Sequence, residues 1–132
     1  LAAAGTVSGD ALTATAAAKC ALSFGPALLR GIGCNVLVCA AVVMGAGADS
    51  AGGKAAALFF PVMAFVAAGF EHSVANMFYI PAGLFAAGGT QPALSWGRFL
   101  LGNLVPVTLG NILGGGLLGW ILWACHLRGA EK

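Results

Sequence analysis

The sequence predicts an all-α integral membrane protein in which the middle one of three spanning helices is broken. Hydrophobic residues make up 60% of the 132 residues and charged residues only 8%, and the mean hydropathy of +0.95 is typical of a chain in a lipid bilayer. Within this apolar chain, residues 69–83 read GFEHSVANMFYIPAG and bring an acid, a histidine, a serine and an asparagine close together. Ionisable residues at membrane depth are costly, so this cluster indicates a functional site.

Breakers in the sequence divide the chain into its elements. Residues 1–19 are rich in alanine, glycine, threonine and serine, which predicts a loop or a weak helix on the surface. The first span is predicted over residues 20–48, and a short glycine-rich polar turn follows it. The glycines and proline of residues 88–92 end the second element, and a last helix is predicted over residues 96–127. We therefore expect a single transmembrane domain over residues 1–132.

The second element, residues 55–87, is too long to be one continuous helix. It would measure roughly 50 Å at ~1.5 Å per residue, whereas the hydrocarbon core is about 30 Å thick. The polar cluster lies near its middle, and each flank alone, about 22 Å long, is too short to cross. One spanning element that is broken around Glu71 and His72 fits both lengths. Since broken helices at this depth are buried in protein or line a cavity, we expect a pore or pocket here.

The last helix has two features of a membrane helix. Trp120 and Trp123, near its end, are typical of the interfacial aromatic belt. Small residues at four-residue multiples predict close packing against a neighbouring helix. The glycines in question are Gly102, Gly110, Gly114, Gly115 and Gly119.

The composition argues against several classes of function. The net charge of +2 comes from basic and acidic residues scattered singly, which does not suit nucleic-acid binding. The four cysteines form no CxxC pair, and no histidine stands at zinc-finger spacing, so neither a metal site nor another cofactor is expected. Apart from the pair Glu71 and His72, no ionisable groups stand at catalytic spacing, so we expect no enzymatic activity.

Three blocks of the sequence together resemble the formate/nitrite transporter family. They are GIGCNVLVCAAVVM at residues 31–44, GFEHSVANMFYIPAG at residues 69–83 and NLVPVTLGNILGGGLLGW at residues 103–120. The blocks follow the order of the family, and the resemblance extends over nearly the whole chain. Members of this family have six spanning segments in an inverted 3+3 repeat. The chain resembles the second three-helix repeat, and the N-terminal repeat is absent from it.

The resemblance implies an aquaporin-like helical bundle with one pore in each subunit of a homopentamer. It implies transport of small monovalent anions such as formate, nitrite or hydrosulfide. It also implies a multi-pass protein of the cell (inner) membrane, whose partners are the lipid bilayer, those anions and the missing N-terminal repeat. Without the resemblance, the residues themselves predict only a titratable cluster at a broken membrane helix.

His72 is the residue expected to act on the anion. Imidazole is a hydrogen-bond donor near neutral pH and can also release a proton, and both properties suit an anion that crosses a dry constriction. The resemblance places the matching histidine at the centre of the pore. It also places Phe65 at a position where an aromatic ring narrows the pore, although phenylalanines in such helices more often face lipid or the core.

Glu71 requires a cation, because an isolated carboxylate in hydrocarbon is strongly unfavourable. The resemblance points to Lys19. The family has a lysine sixteen residues before its conserved asparagine, and Lys19 stands at that spacing from Asn35. The pair would hold the broken loop and leave a positive potential that attracts anions at a vestibule. Arg30 is the alternative partner, or else an interfacial anchor whose long side chain snorkels.

Amides inside a bundle must find hydrogen-bond partners, and two roles are open to them here. For Asn35 and Asn111, lining the pore and clamping the backbone remain equal alternatives. For Asn76 the clamp is favoured, since asparagine readily bonds backbone freed by a break. Ser73 is expected to cap the second half-helix, whose positive dipole end would then face the anion path.

Two other functions compete with an anion channel. A haem-binding membrane subunit would need two histidines at similar depth, but His72 is expected in mid-membrane and His126 at an interface. A non-conducting membrane fragment is the second alternative, because three helices do not line a pore that six helices build. The favoured hypothesis is an anion channel or transporter in which Lys19 attracts the anion, Phe65 gates it and His72 donates a hydrogen bond or a proton.

Overall fold

The computed structural model describes residues 8–127, and no strand occurs in this part of the chain. The predicted all-α class is confirmed. Four helices precede the last one: α1 (Gly9–Cys20), α2 (Phe24–Ala46), α3 (Ala51–Ala67) and α4 (Ser73–Ala87). The last helix consists of a π-helical segment (Arg98–Leu104), α5 (Val105–Leu122) and a π-helical end (Trp123–Leu127).

Two helices are long enough to span a bilayer, and the two helices on either side of the break are shorter. The helices Phe24–Ala46 and Arg98–Cys125 are long and apolar enough to cross a bilayer. By contrast, α3 has 17 residues and α4 has 15, which corresponds to roughly 26 and 22 Å. The predicted broken middle helix is therefore confirmed, with the break at residues 68–72.

The break begins with a helix ending that glycine makes possible. Gly69 has a positive φ of 66°. Its N–H donates to the carbonyl of Val66 (3.1 Å), and the N–H of Phe70 donates to the carbonyl of Phe65 (3.0 Å). These two bonds form a Schellman motif, which satisfies the last carbonyls of α3 and turns the chain away from the helix axis. Pro81 lies inside α4 rather than at its start.

The N-terminal region differs from the expected loop or weak surface helix, because α1 is a well-packed helix with Leu12, Ala16 and Cys20 buried. It lies along α4. A Cβ atom at Gly83 of α4 would overlap the Cβ of Ala16, so the two helices touch through their smallest residues. An isolated helix of 12 residues is only marginally stable even when it is rich in alanine, so α1 depends on its packing for stability.

Glycines also join α2 to α5, the most extensive helix pair in the structure. A Cβ atom at Gly31 would lie 2.8 Å from the carbonyl oxygen of Val107, and Cβ atoms at Gly110 and Gly114 would overlap the carbonyls of Leu28 and Ile32. Of the glycine face predicted in the last helix, Gly110 and Gly114 are thus in close contact with α2, but Gly102 and Gly119 have open space beside them.

Candidate functional site

The break places a buried carboxylate beside a lysine. Glu71 is only 3% exposed, and its Oε1 lies 3.0 Å from Nζ of Lys19, the next-to-last residue of α1. This is the pairing that the sequence analysis favoured over Arg30. Since a buried charge without a partner is strongly destabilising, the ion pair secures the end of α1 to the break.

Two asparagines complete the surroundings of this carboxylate. Asn76 Nδ2 donates to Glu71 Oε2 (2.6 Å) and to Asn103 Oδ1 (2.7 Å). Asn103 Nδ2 donates to the carbonyl of Lys19 (3.0 Å), with a longer contact of 3.4 Å to Glu71 Oε2. Asn76 and Asn103 are fully buried. We call Lys19, Glu71, Asn76 and Asn103 the carboxylate network, which connects α1, the break, α4 and the π-helical segment.

Asn103 was not singled out from the sequence, although it begins the third quoted block. The usable signal was an amide within a strongly apolar helix, the same argument that identified Asn111. It lies in the π-helical segment Arg98–Leu104, a kind of irregularity that is frequent at functional sites. Asn76 Oδ1 has no hydrogen-bond partner among residues 8–127, although it is buried.

Asn111 holds the broken backbone with every polar atom of its side chain. Its Oδ1 accepts from the N–H and from the hydroxyl of Ser73, both at 2.9 Å. Its Nδ2 donates to the carbonyls of Gly31 (2.9 Å) and Glu71 (3.0 Å). Asn35 Nδ2 in turn donates to the backbone carbonyl of Asn111 at 2.6 Å. Of the two roles considered for Asn111 and Asn35, the geometry favours the backbone clamp over pore lining.

The cap of α4 differs from the expectation for Ser73. The N-cap residue is His72, and its Nδ1 accepts a hydrogen bond from the N–H of Val74 at 3.2 Å. Ser73 is already the first helical residue, and its hydroxyl is directed to Asn111 instead. The physical reason is that the Asn111 oxygen draws both the N–H and the hydroxyl of Ser73, which leaves the cap position to His72.

This cap also determines which imidazole nitrogen carries the proton. A neutral imidazole has one donor and one acceptor nitrogen. Because Nδ1 accepts from Val74, Nε2 carries the hydrogen and is a donor. The His72 side chain therefore combines a helix cap on one nitrogen with an N–H donor on the other.

An open cavity of about 570 Å³ lies beside the break. Four helices and the break contribute to its wall, whereas α5 does not. Phe65 belongs to the lining, and its ring centroid lies 6.1 Å from that of His72. The polar side chains of the lining are Thr15, Lys19, Arg30, Glu71, His72 and Tyr79.

The cavity brings together only part of the predicted site. Lys19, Phe65, Glu71 and His72 line it. The other four predicted residues are absent from the lining. Asn35, Ser73 and Asn111 bond to the backbone or to one another. Asn76 was expected to clamp the backbone, but its amide is drawn to the side chains of Glu71 and Asn103 instead. The polar lining residues that the sequence analysis did not place there are Thr15, Arg30 and Tyr79.

No group of three or more potential metal ligands occurs among residues 8–127. The haem alternative required His72 together with His126, and the side chain of His126 lies outside what the structure describes. His72 Nδ1 is used in the helix cap, so a haem iron would have to bind Nε2.

Comparison with known proteins identifies the family. The family model for the formate/nitrite transporter matches residues 1–125. A probable formate transporter of Methanothermobacter thermautotrophicus is 47% identical over 108 residues, 81% of this chain and 38% of the relative. The formate channel FocA of Escherichia coli is 43% identical over 121 residues, 80% of this chain and 42% of the relative. The chain thus spans about two fifths of the length of these relatives.

A solved structure agrees with this assignment. A pentameric formate channel with formate bound superimposes with a TM-score of 0.81 at 36% sequence identity, covering 90% of this chain and 52% of that chain. The chain belongs to the formate/nitrite transporter family.

Proposed function

We propose that this chain forms part of the wall of a membrane channel or transporter for small monovalent anions, with formate as the first candidate. The observation that carries the proposal is the hydrogen bond from the Val74 N–H to His72 Nδ1. It leaves Nε2–H as a donor on a residue that lines the cavity, and an anion in that cavity needs such a donor in place of its lost water.

Formate is proposed first because relatives and the superimposed structure are named for it. Nitrite and hydrosulfide share its single negative charge and small size, so they are proposed as further substrates. The function is transport rather than catalysis. By similarity to the pentameric neighbour, we propose a homopentamer in the cell (inner) membrane, in which a further repeat of the relatives would complete each pore.

Phe65 is proposed to narrow the path next to His72. Its ring and the imidazole are tilted by 35° with centroids 6.1 Å apart, and both side chains line the cavity. An anion that reaches Nε2 therefore passes close to the Phe65 ring.

Two substitutions test the helix-capping role of His72 Nδ1 separately from the donor role of Nε2. In His72→Asn, the side-chain oxygen can still accept from the Val74 N–H, but the Nε2–H donor is lost. In His72→Phe, both are lost. A hydrogen bond to a charged group contributes about 1.5–3 kcal/mol, so we expect His72→Asn to lower formate flux into liposomes at least about tenfold. The pentamer should survive, as judged by size-exclusion chromatography with light scattering.

Two results would contradict the proposal. Wild-type flux of formate and nitrite in a well-folded His72→Asn or His72→Phe variant would remove His72 from the mechanism. Absence of any anion flux through the wild-type protein would favour the non-conducting alternative instead.

A further inference from the structure

The cavity contains two cationic side chains in different electrostatic situations. Lys19 is compensated, because its ammonium group lies 3.0 Å from the Glu71 carboxylate. Arg30 is exposed, and among residues 8–127 the Lys19–Glu71 pair is the one salt bridge found. Of the charges in the lining, Lys19 and Glu71 offset each other, so the net positive charge of the cavity resides on Arg30.

The backbone places Arg30 at the same depth as the break. The N–H of Glu71 donates to the carbonyl of Arg30 at 3.3 Å, so the residue lies beside the chain segment that carries Glu71 and His72. The next residue, Gly31, packs directly against α5, whereas the Arg30 side chain belongs to the cavity lining. Its helix has a mean hydropathy of 2.0 over the candidate span. Because an uncompensated cation in such a helix is costly, its presence indicates a function.

We propose that Arg30, rather than Lys19, is the residue that draws monovalent anions into the cavity. This inference rests on the proposed function and replaces the role in attraction that the sequence analysis gave to Lys19. Lys19 then has a structural part, since its charge is used to neutralise Glu71. A guanidinium group stays charged at all relevant pH values and is more weakly hydrated than an ammonium, which suits an anion that must exchange partners quickly.

The physical mechanism is electrostatic steering in a cleft with apolar walls. Such walls concentrate the field of a single charge and raise the local concentration of the opposite ion, an effect that falls steeply with ionic strength. The attraction by Arg30 should therefore act mainly on the entry of the anion. It should be visible at low salt and largely absent at high salt.

The experiment compares Arg30→Gln with two variants that remove the same charge elsewhere. Arg98→Gln and Lys54→Gln are the matched controls, because both side chains are exposed and neither lines the cavity. Initial formate uptake by liposomes is measured with potassium gluconate as the added salt, since gluconate is too large to compete for the pore. We expect Arg30→Gln to reduce uptake about three- to tenfold at about 10 mM ionic strength. The reduction should fall below about twofold near 1 M, where the Debye length is only about 3 Å.

Arg30→Lys tests charge separately from shape and should keep uptake within about twofold of the wild type, because the point charge remains. Should Arg30→Gln fail to assemble, Arg30→Cys provides a second route. Modification with a trimethylammonium thiosulfonate should restore uptake, and modification with a sulfonate analogue should lower it further. Wild-type protein treated with both reagents controls for the exposed Cys125.

The inference is overturned if Arg30→Gln takes up formate like the wild type at low salt, or if its deficit is independent of salt. It is equally overturned if the control variants lose as much as Arg30→Gln. These failures differ from failure of the proposed function, which would appear as wild-type protein without flux or as full flux in His72→Asn.

Discussion

The ammonium group of Lys19 lies 3.0 Å from the carboxylate of Glu71 and joins the end of α1 to the break between α3 and α4. The two partners are unequally buried, with side-chain exposures of 18% for Lys19 and 4% for Glu71. Loss of Lys19 and loss of Glu71 therefore have different consequences. The carboxylate left without Lys19 has almost no access to water, whereas the ammonium left without Glu71 is partly hydrated.

We predict that Lys19→Met is more destabilising than Glu71→Gln. Lys19→Met leaves a buried carboxylate without its cation and should cost about 3–5 kcal/mol. In Glu71→Gln, the amide can still accept from Asn76, and the remaining ammonium is partly exposed. The free energy of unfolding is measured by titration with dodecyl sulfate in mild micelles. The double variant should be more stable than Lys19→Met, and strictly additive losses would contradict the prediction.

We predict that Asn111→Leu is among the most disruptive single substitutions in α5. It would leave the Ser73 N–H and the carbonyl of Glu71 without partners, at about 1–3 kcal/mol for each buried group. It would also remove the bond to the carbonyl of Gly31, which keeps its hydrogen bond within α2. Asn35→Ala is the control, because it removes a single bond from a half-buried amide and should cost about 1 kcal/mol. The measurement is again the free energy of unfolding, and equal losses in the two variants would refute the clamp.

The contact between α2 and α5 gives a steric prediction. A Cβ atom at Gly110 would overlap the carbonyl of Leu28, so Gly110→Ala should force the helices apart and cost about 1–3 kcal/mol. Gly116 lies in the same helix with nothing within 4 Å. Gly116→Ala should therefore be neutral or stabilising by up to about 1 kcal/mol, since alanine is the better helix former. If Gly110→Ala were as well tolerated as Gly116→Ala, the helix contact would be looser than described.

Local features of the sequence were enough to predict the class of the protein and its broken helix. The length of the apolar element between residues 55 and 87 exceeds the bilayer, and the polar cluster near its middle indicates where the helix breaks. Neither inference requires knowledge of what the helix packs against. The packing of α1 could not be predicted in this way, because it depends on contact with Gly83, which is distant in the sequence.

The hydrogen-bond partners of the buried polar side chains could be identified only from the tertiary structure. Asn103 bonds to a carbonyl 84 positions away in the sequence, and a buried amide of this kind signals only that some partner exists. The same holds for Asn111, which could have lined a pore until its four hydrogen bonds were placed. Ser73 shows the same dependence, since its hydroxyl could have capped α4 but is bound by Asn111.

Composition and element length by themselves determined that this chain is a helical membrane protein with polar groups at a break, because the bilayer imposes its thickness and its lack of water on every segment separately. Only the tertiary structure decided that His72 rather than Ser73 caps α4 and that Asn103 joins the surroundings of Glu71. It also left Arg30 as the uncompensated cation of the cavity, among the residues described. Hydrogen bonds and charges are shared between distant parts of the chain, so the partner that each group takes depends on which helices meet around it.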